Sequence, residues 1–364
     1  MLTAIIVLIV FSVLILIHET GHLVAAKRTG VRVEAFSLGF GKRLFGVKIG
    51  GTDYRISLLP FGGYIKMAGE DPSEVVGEEG ELSSKPVGKR FWVMASGAFT
   101  NYIFAFILFS IVFMVGAPTL SNEVGEVLKG YPAENAGIKI GDKITSINEI
   151  ETQYWEGIVE TIKKKSDPEE ALKIQIERDN KKLLIKVKPD ISTVVNIFGQ
   201  TISRPVIGIA PKNQILSVSY TPLEALYFGG KRLIVLSGMT YKGIWLLITG
   251  GMPIKTSVSG PIGIARLMSQ AAQLGIIPLL LITAHVSMAL AIFNLLPFPV
   301  LDGGHIIFLL FEKIKGRPLS IKVQEVITQA AVIILITFVV MVSWNDIVKF
   351  TPIGKKINSK TVQK

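Results

Sequence analysis

The stretch ILIHETGHL, residues 15–23, places the pattern His-Glu-x-x-His inside a hydrophobic segment that begins near the first residue. On a helix, positions four apart share one face, so His18 and His22 can offer two imidazole nitrogens to one metal ion. Glu19 lies beside them, where a carboxylate can accept a proton from water whose pKa a bound Zn²⁺ lowers to about 7. The alternative is a group of polar side chains satisfied by neighbours. A charged residue within a membrane helix costs about 2.5–3.5 kcal/mol on insertion scales, which favours a functional role.

The composition is that of a membrane protein, because 49% of the 364 residues are hydrophobic and the mean hydropathy is +0.49. The net charge of +11 is interpreted as Lys and Arg residues that flank the spans and contact the anionic headgroups of a lipid bilayer. No basic stripe with interleaved aromatic residues is present, so nucleic acid is not expected as a partner. The chain has no cysteine, and any zinc must therefore use His and carboxylate ligands.

Four segments are apolar enough to cross a bilayer, at about 2–26, 91–117, 276–301 and 326–347. The predicted fold class is a polytopic α-helical membrane protein with four transmembrane helices. We divide it into a first membrane half (1–117), a small inserted domain (118–212), amphipathic interfacial helices (213–275) and a second membrane half (276–364). Loop 27–90 and the loop between the last two spans are rich in Lys and Arg, which places both in the cytoplasm, whereas the basic tail after Phe350 argues the other way.

Loop 27–90 contains a predicted β-hairpin close to the membrane. Residues 54–58 alternate with period two, residues 60–63 (Pro-Phe-Gly-Gly) predict a turn, and residues 64–67 predict the second strand. The acidic run from Glu70 to Glu81 is interpreted as a solvated linker.

The inserted segment has the order strand, short helix, Gly-Asp turn, strand, helix and hairpin, which resembles a PDZ domain. Its predicted elements are a strand at 125–128, a helix at 132–137, a strand after the turn at 141–148, a helix at 155–165 and strands at 172–178 and 183–188. Such a domain binds extended peptides at an exposed sheet edge, or serves as a spacer that binds none. Residues 222–250 predict one or two amphipathic helices on the outer membrane surface, and Pro261 predicts the start of another helix.

The third span ends in the sequence NLLPFPVLDGGH, residues 294–305. Pro297 and Pro299 cannot continue a regular helix, so the backbone must unwind there, which a membrane tolerates only beside protein or a wet cavity. Asp302 can therefore serve as a third zinc ligand. Successive spans cross the membrane in alternating directions, so the first and third spans run the same way. If the first span runs inward, the ends of both spans lie on the same side, which places Asp302 with His18 and His22.

The chain contains HETGH, the GGYIKM hairpin, one PDZ-like domain, SGPIG and NLLPFPVLDGGH, in that order. With these motifs it resembles the site-2 protease family of intramembrane zinc proteases, in its bacterial RseP-type branch. The resemblance covers essentially the whole chain, although some relatives carry two PDZ-like units in tandem. It implies one Zn²⁺ per chain held by His18, His22 and Asp302, with Glu19 as general base. The residues that it assigns to substrate positioning are Asn294, Gly62, Gly63, Tyr64, Ile65, Lys66 and Met67.

The resemblance also implies a biological setting. The substrate would be a single-pass transmembrane protein, such as an anti-sigma factor, that is cut after an initial external cleavage in regulated intramembrane proteolysis. The protein would lie in the bacterial inner membrane with its PDZ-like domain in the periplasm. His305 and His285 are not expected to be ligands. The rival functions are a membrane-anchored PDZ adaptor with a structural metal and a zinc transporter; three ligands leave a coordination position open, which disfavours a structural site.

Overall fold

The computed structural model describes residues 2–71, 74–165 and 170–350. Its helices are α1 (Leu2–Thr29), α2 (Val87–Val115), α3 (Pro132–Asn135), α4 (Trp155–Lys165), α5 (Pro222–Ile248), α6 (Ile254–Ser257), α7 (Pro261–Leu274), α8 (Ile276–Asn294), α9 (Asp302–Lys315) and α10 (Ile321–Phe350). Its strands are β1 (Val33–Ile49), β2 (Thr52–Met67), β3 (Ala117–Leu120), β4 (Val124–Val127), β5 (Lys143–Ile147), β6 (Ile150–Glu151), β7 (Leu172–Arg178), β8 (Lys181–Val187), β9 (Asp190–Val195), β10 (Thr201–Val206), β11 (Ile209–Pro211) and β12 (Ile215–Val218). The basic tail lies outside the described residues.

Four of these helices, α1, α2, α8 and α10, are long and apolar enough to cross a membrane, which confirms the four predicted spans. The third span is shorter than predicted, because α8 ends at Asn294 and not at residue 301. Residues 295–301 leave the helix, as the two prolines require, and α9 begins at Asp302.

The chain divides into two compact units, and this differs from the four predicted segments. One unit contains the described residues within 1–112, 224–245 and 253–364, and the other contains 113–223 and 246–252 within the same limits. The predicted interfacial segment is therefore not separate. Helix α5 is one continuous helix whose Leu233, Leu236 and Ile244 pack against α2 and α8. The position of this helix on the outer membrane surface stays a prediction.

The predicted β-hairpin is part of a larger unit that β1 and β2 form. These strands are joined at Gly50 and Gly51, both with positive φ, a turn that the sequence did not predict. Residues 53–56 run parallel to 35–38, whereas residues 63–66 run antiparallel to the same segment. The chain therefore reverses between residues 56 and 63, at the predicted turn, where Gly62 has φ +91°. The two predicted strands lie on either side of residues 35–38 instead of pairing with each other.

The second unit contains the predicted PDZ-like pattern nearly element for element. Sheet β6-β5-β7-β8 packs with α4 around a core that includes Ile144, Ile158 and Ile174. Asp179 and Asn180, both with positive φ, join β7 to β8 as predicted. The hairpin β9–β10 and the pair β3–β12, which begins and ends the insertion, were not predicted.

Candidate active site

The two histidines lie where α1 crosses α2 at very close range. A Cβ at Gly21 would lie 2.4 Å from the carbonyl oxygen of Ser96, and a Cβ at Gly97 would lie 2.4 Å from His22 Nε2. Thr100 Oγ1 donates to the carbonyl oxygen of Ile17 at 3.1 Å at the same crossing. Only glycine permits this approach, which sets both imidazoles directly against the α2 backbone.

The break after α8 brings the third residue to the histidines. Leu301 N–H donates to the carbonyl oxygen of Phe298 at 2.9 Å, which closes the turn before α9. A Cβ at Gly303 would lie 2.2 Å from the carbonyl oxygen of Leu296, and one at Gly304 would lie 2.3 Å from that of Phe298. The two glycines after Asp302 therefore allow the unwound segment to fold back onto the start of α9.

His18, His22 and Asp302 form a metal-binding geometry, with ligand atoms within 4.8 Å of one another. Asp302 Oδ2 is 3.2 Å from His18 Nε2 and 3.5 Å from His22 Nε2, and the two nitrogens are 3.2 Å apart. A tetrahedral zinc ion with ligand bonds of about 2.0–2.2 Å separates its ligands by about 3.3–3.6 Å, so the residues fit this ion. Asp302 Oδ2 is buried and, among the described residues, has no hydrogen bond of acceptable geometry.

The charge state of Asp302 also suits a metal ligand. Burial raises the pKa of its carboxyl, but contacts with His18 and His22 outweigh burial and hold that pKa well below its usual range. The side chain is therefore an anion facing two imidazole nitrogens, which is the donor set that zinc accepts.

The second nitrogen of each imidazole is also in contact with the protein. His22 Nδ1 lies 2.8 Å from the carbonyl oxygen of Val93 and donates to it, which fixes Nε2 as the free ligand atom. His18 Nδ1 lies 3.5 Å from the amide nitrogens of both Asn101 and Asn294.

Glu19 contacts the hairpin. Ile65 N–H donates to Glu19 Oε2 at 3.1 Å, and two residues further Met67 N–H donates to Glu70 Oε2 at 3.3 Å. These two N–H groups lie on the edge of segment 63–67 that does not pair with β1. We call this segment, Gly63–Met67, the edge segment. It places backbone donors directly beside the acidic residue of the His-Glu-x-x-His pattern.

The predicted substrate residues do not all face the site. Asn294 borders a cavity of about 210 Å³ together with Ile15, His18, Glu19, Asn101 and Leu290. The side chain of Lys66 pairs with Glu34 and Glu74, and Tyr64 accepts from Arg55, so the edge segment offers its backbone and not these two side chains. Gly63 cannot carry a side chain, because a Cβ there would lie 2.6 Å from the carbonyl oxygen of Ser37.

The other two histidines lie apart from the metal-binding group. His305 borders a separate cavity of about 300 Å³ with Glu70, and burial lowers the pKa of its imidazole. His285 donates from Nδ1 to the carbonyl oxygen of Leu281 in its own helix at 2.6 Å, and its ring contacts Phe109 of α2.

Sequence reasoning missed the contribution of α2. Gly97, the Val93 carbonyl and Asn101 all contact the two histidines, and Arg90 forms a bidentate pair with Glu312 of α9. One signal was available, since Asn101 is an amide inside a predicted span, where polar residues mark functional sites.

The chain is similar to known proteins over most of its length. The model of peptidase family M50 matches residues 6–338. A Campylobacter jejuni protein whose name assigns it to the zinc metalloproteases, Cj1068, is 36% identical over 342 residues, 93% of this chain and 91% of its own. The regulator of sigma-W protease RasP of Bacillus subtilis is 29% identical over 430 residues, covering 95% of this chain and 98% of its own. The PDZ domain of the SdrC-like protein of Listeria monocytogenes matches 25% of this chain and 86% of its own, at 22% identity and a TM-score of 0.21.

Proposed function

The chain belongs to peptidase family M50, and on that premise we propose that it cleaves the transmembrane segment of a single-pass membrane protein. It is a zinc metalloendopeptidase and a multi-pass membrane protein. The observation that carries the proposal is the contact between Glu19 and the edge segment. Glu19 directly follows the proposed metal ligand His18, and both lie on α1, a candidate span. It supports a site that receives an extended backbone at membrane depth.

In this proposal His18, His22 and Asp302 hold zinc, which supplies Lewis acidity and lowers the pKa of water to about 7. Glu19 accepts the proton from the attacking water and passes it to the leaving amine nitrogen. The Val93 carbonyl keeps His22 in the tautomer that leaves Nε2 free. The residues that position the substrate are Asn294 and the backbone of the edge segment.

A transmembrane helix hides its carbonyls in hydrogen bonds, so the substrate must be extended before it can be cut. The edge segment can supply the replacement partners by pairing with the substrate as an added strand. The distal part of the hairpin supports a position in the membrane, because Phe45, Val47, Ile49 and Leu58 are large apolar residues that are all exposed.

The finer points follow from the same site and from the relatives. The name of the Bacillus subtilis relative refers to sigma-W regulation, which supports an anti-sigma factor as substrate and regulated intramembrane proteolysis as the process. The basic loops support a cytoplasmic position for the hairpin and hence a bacterial inner membrane with the PDZ-like unit in the periplasm. One zinc ion per chain suffices for the single group of ligands found among the described residues.

The test is a cleavage assay on membranes that contain the chain and a tagged single-pass substrate already trimmed outside. We expect a product that disappears with a zinc chelator, returns with added zinc, and is absent with Asp302→Ala. A protein that binds the substrate without cutting it, with or without zinc, would instead identify the PDZ adaptor with a structural metal.

The proposed topology has its own test. A reporter fused at residue 78 should behave as cytoplasmic, and one fused near Asp179 as external. The reverse pattern would place the zinc site on the opposite side of the membrane and contradict the assignment.

A further inference from the structure

Two asparagines converge on one nitrogen of His18, and only one of them can be its partner. When Nε2 of a histidine binds a metal, Nδ1 carries the ring proton and needs an acceptor. His22 has the Val93 carbonyl. In the described chain, the groups that reach His18 Nδ1 are the amides of Asn101 and Asn294, each with its nitrogen 3.5 Å away. The amide N–H₂ groups and the imidazole Nδ1–H are all donors and cannot hydrogen-bond to one another. One amide must therefore turn its oxygen towards His18 Nδ1.

We infer that Asn101 is the positioning residue of His18 and accepts its Nδ1–H through Oδ1 in the zinc-loaded protein. This rests on the proposed function, because it concerns the same zinc site. Asn101 is fully buried, and its Oδ1 has no hydrogen-bond partner among the described residues. A half-turn about the last side-chain bond therefore breaks no bond of that oxygen and brings it to the imidazole.

The surroundings of the two amides separate their roles. The backbone of Asn101 is fixed between two spans, since Ser287 Oγ of α8 donates to its carbonyl oxygen at 2.9 Å and the neighbouring Thr100 holds α1. Asn294 is partly exposed at the end of α8 and borders the cavity that contains Glu19. Asn101 is thus held in a single place, whereas Asn294 stays available to a substrate backbone as donor and acceptor.

The experiment measures zinc affinity by chelator competition on the purified full chain, for wild type, Asn101→Leu, Asn101→Asp and Asn294→Leu. Loss of an orienting partner typically weakens metal binding about 10–100-fold, which we expect for Asn101→Leu. Asn101→Asp keeps an acceptor on His18 and should bind zinc within a few-fold of wild type. Asn294→Leu should keep its zinc affinity and lose cleavage instead.

Several results would overturn the assignment. Equal weakening by Leu and Asp at position 101 would show that the residue acts through packing alone. If Asn294→Leu weakens zinc binding and Asn101→Leu does not, Asn294 is the residue that positions His18. If zinc affinity is unchanged in all three variants, neither asparagine positions His18. Thermal unfolding of the zinc-free variants shows whether each one folds. Failure of the wild type itself to bind zinc would contradict the proposed function and is seen before any variant is compared.

Discussion

Ile65 N–H donates a hydrogen bond to Glu19 Oε2 at 3.1 Å, so the edge of the hairpin and the proposed general base are in direct contact. A strand that adds to this edge must compete for the same donor. Docking of the substrate and release of the Glu19 carboxylate are therefore coupled through one backbone group.

This contact determines how Glu19 should be tested. Glu19→Gln keeps a side-chain oxygen for Ile65 N–H but cannot accept a proton at neutral pH. We expect cleavage to fall by about 10²–10⁴-fold with zinc content near that of the wild type. Metal analysis and a single-turnover assay measure the two quantities, and His22→Ala serves as the control that loses zinc. Full activity of Glu19→Gln would exclude the residue as general base.

The α1–α2 crossing predicts a sharp effect of a single methyl group. Gly97→Ala would place Cβ 2.4 Å from His22 Nε2, so the imidazoles must move off their metal geometry. A displacement of about 1 Å at a catalytic site can cost about 10²-fold, and we expect that loss in cleavage together with reduced zinc content. Gly88→Ala is the matched control, because it lies in the same helix and its Cβ would meet nothing within 4 Å. Equal zinc binding by both variants would show that the crossing does not shape the site.

If the substrate helix must unwind before it is cut, the cleavage rate should depend on the helix propensity of the substrate residues near the cut bond. Relative to Ala, Gly weakens a helix by about 1 kcal/mol and Pro by about 3 kcal/mol, so each should raise the cleavage rate when placed near, but not next to, the cut bond. The measurement is a rate series with Ala, Leu, Gly and Pro at one position. Equal rates across the series would show that unwinding does not limit cleavage.

Strand addition at the edge segment can be tested by cross-linking. The chain has no cysteine, so Lys66→Cys in the inactive Glu19→Gln background gives a single thiol. With a substrate cysteine moved through six consecutive positions, disulfide yield should peak at every second one, because side chains alternate along a strand. Val47→Cys on β1 is the control and should give no such alternation. A yield without period two would exclude a paired strand.

The PDZ-like unit should restrict cleavage of untrimmed substrates, since a folded insertion can exclude a large external domain without touching the chemistry. Strands β3 and β12 pair through Leu120 and Ile215, so residues 121–214 can be replaced by a two-residue Asn-Gly turn without separating the two strands. We expect the deleted chain to cut the full-length substrate as well as the trimmed one. Loss of activity towards both substrates would indicate a folding role instead.

Glu81 predicts a response to acid in the loop before α2. The acidic run from Glu70 to Glu81 was predicted to be a solvated linker, and this was wrong for Glu81, whose side chain is only 1% exposed. Its carboxylate accepts from the N–H groups of Val76 and Gly77, and these bonds lower the pKa of Glu81. The group therefore stabilises the loop above its unfolded pKa, and this stabilisation is lost as pH falls through the lower folded value. Amide exchange at Val76 and Gly77 should rise under acid and in Glu81→Gln at neutral pH; unchanged exchange in that variant would contradict this role.

The sequence by itself determined the features that depend on local patterns. The apolar runs predicted four spans, the i and i+4 spacing predicted the facing pair His18 and His22, and Pro297 with Pro299 predicted the break that frees Asp302. Strands β4, β5, β7 and β8 and helices α3 and α4 of the second unit were predicted, because these strands alternate and the turns beside them carry Gly, Asn and Asp.

Tertiary structure alone decided which elements meet. The turn at residues 60–63 was predicted, but the sequence did not show that residues 35–38 lie between the two predicted strands. Gly63 meets Ser37 only in the folded chain, because these residues are distant in sequence. The surroundings of the zinc site were missed for the same reason, since Gly97, Val93 and Asn101 gain their roles only when α2 crosses α1. A period along one chain shows which face of an element is apolar or polar. It does not show which partner that face meets, because that choice is made by packing between spans that local sequence does not encode.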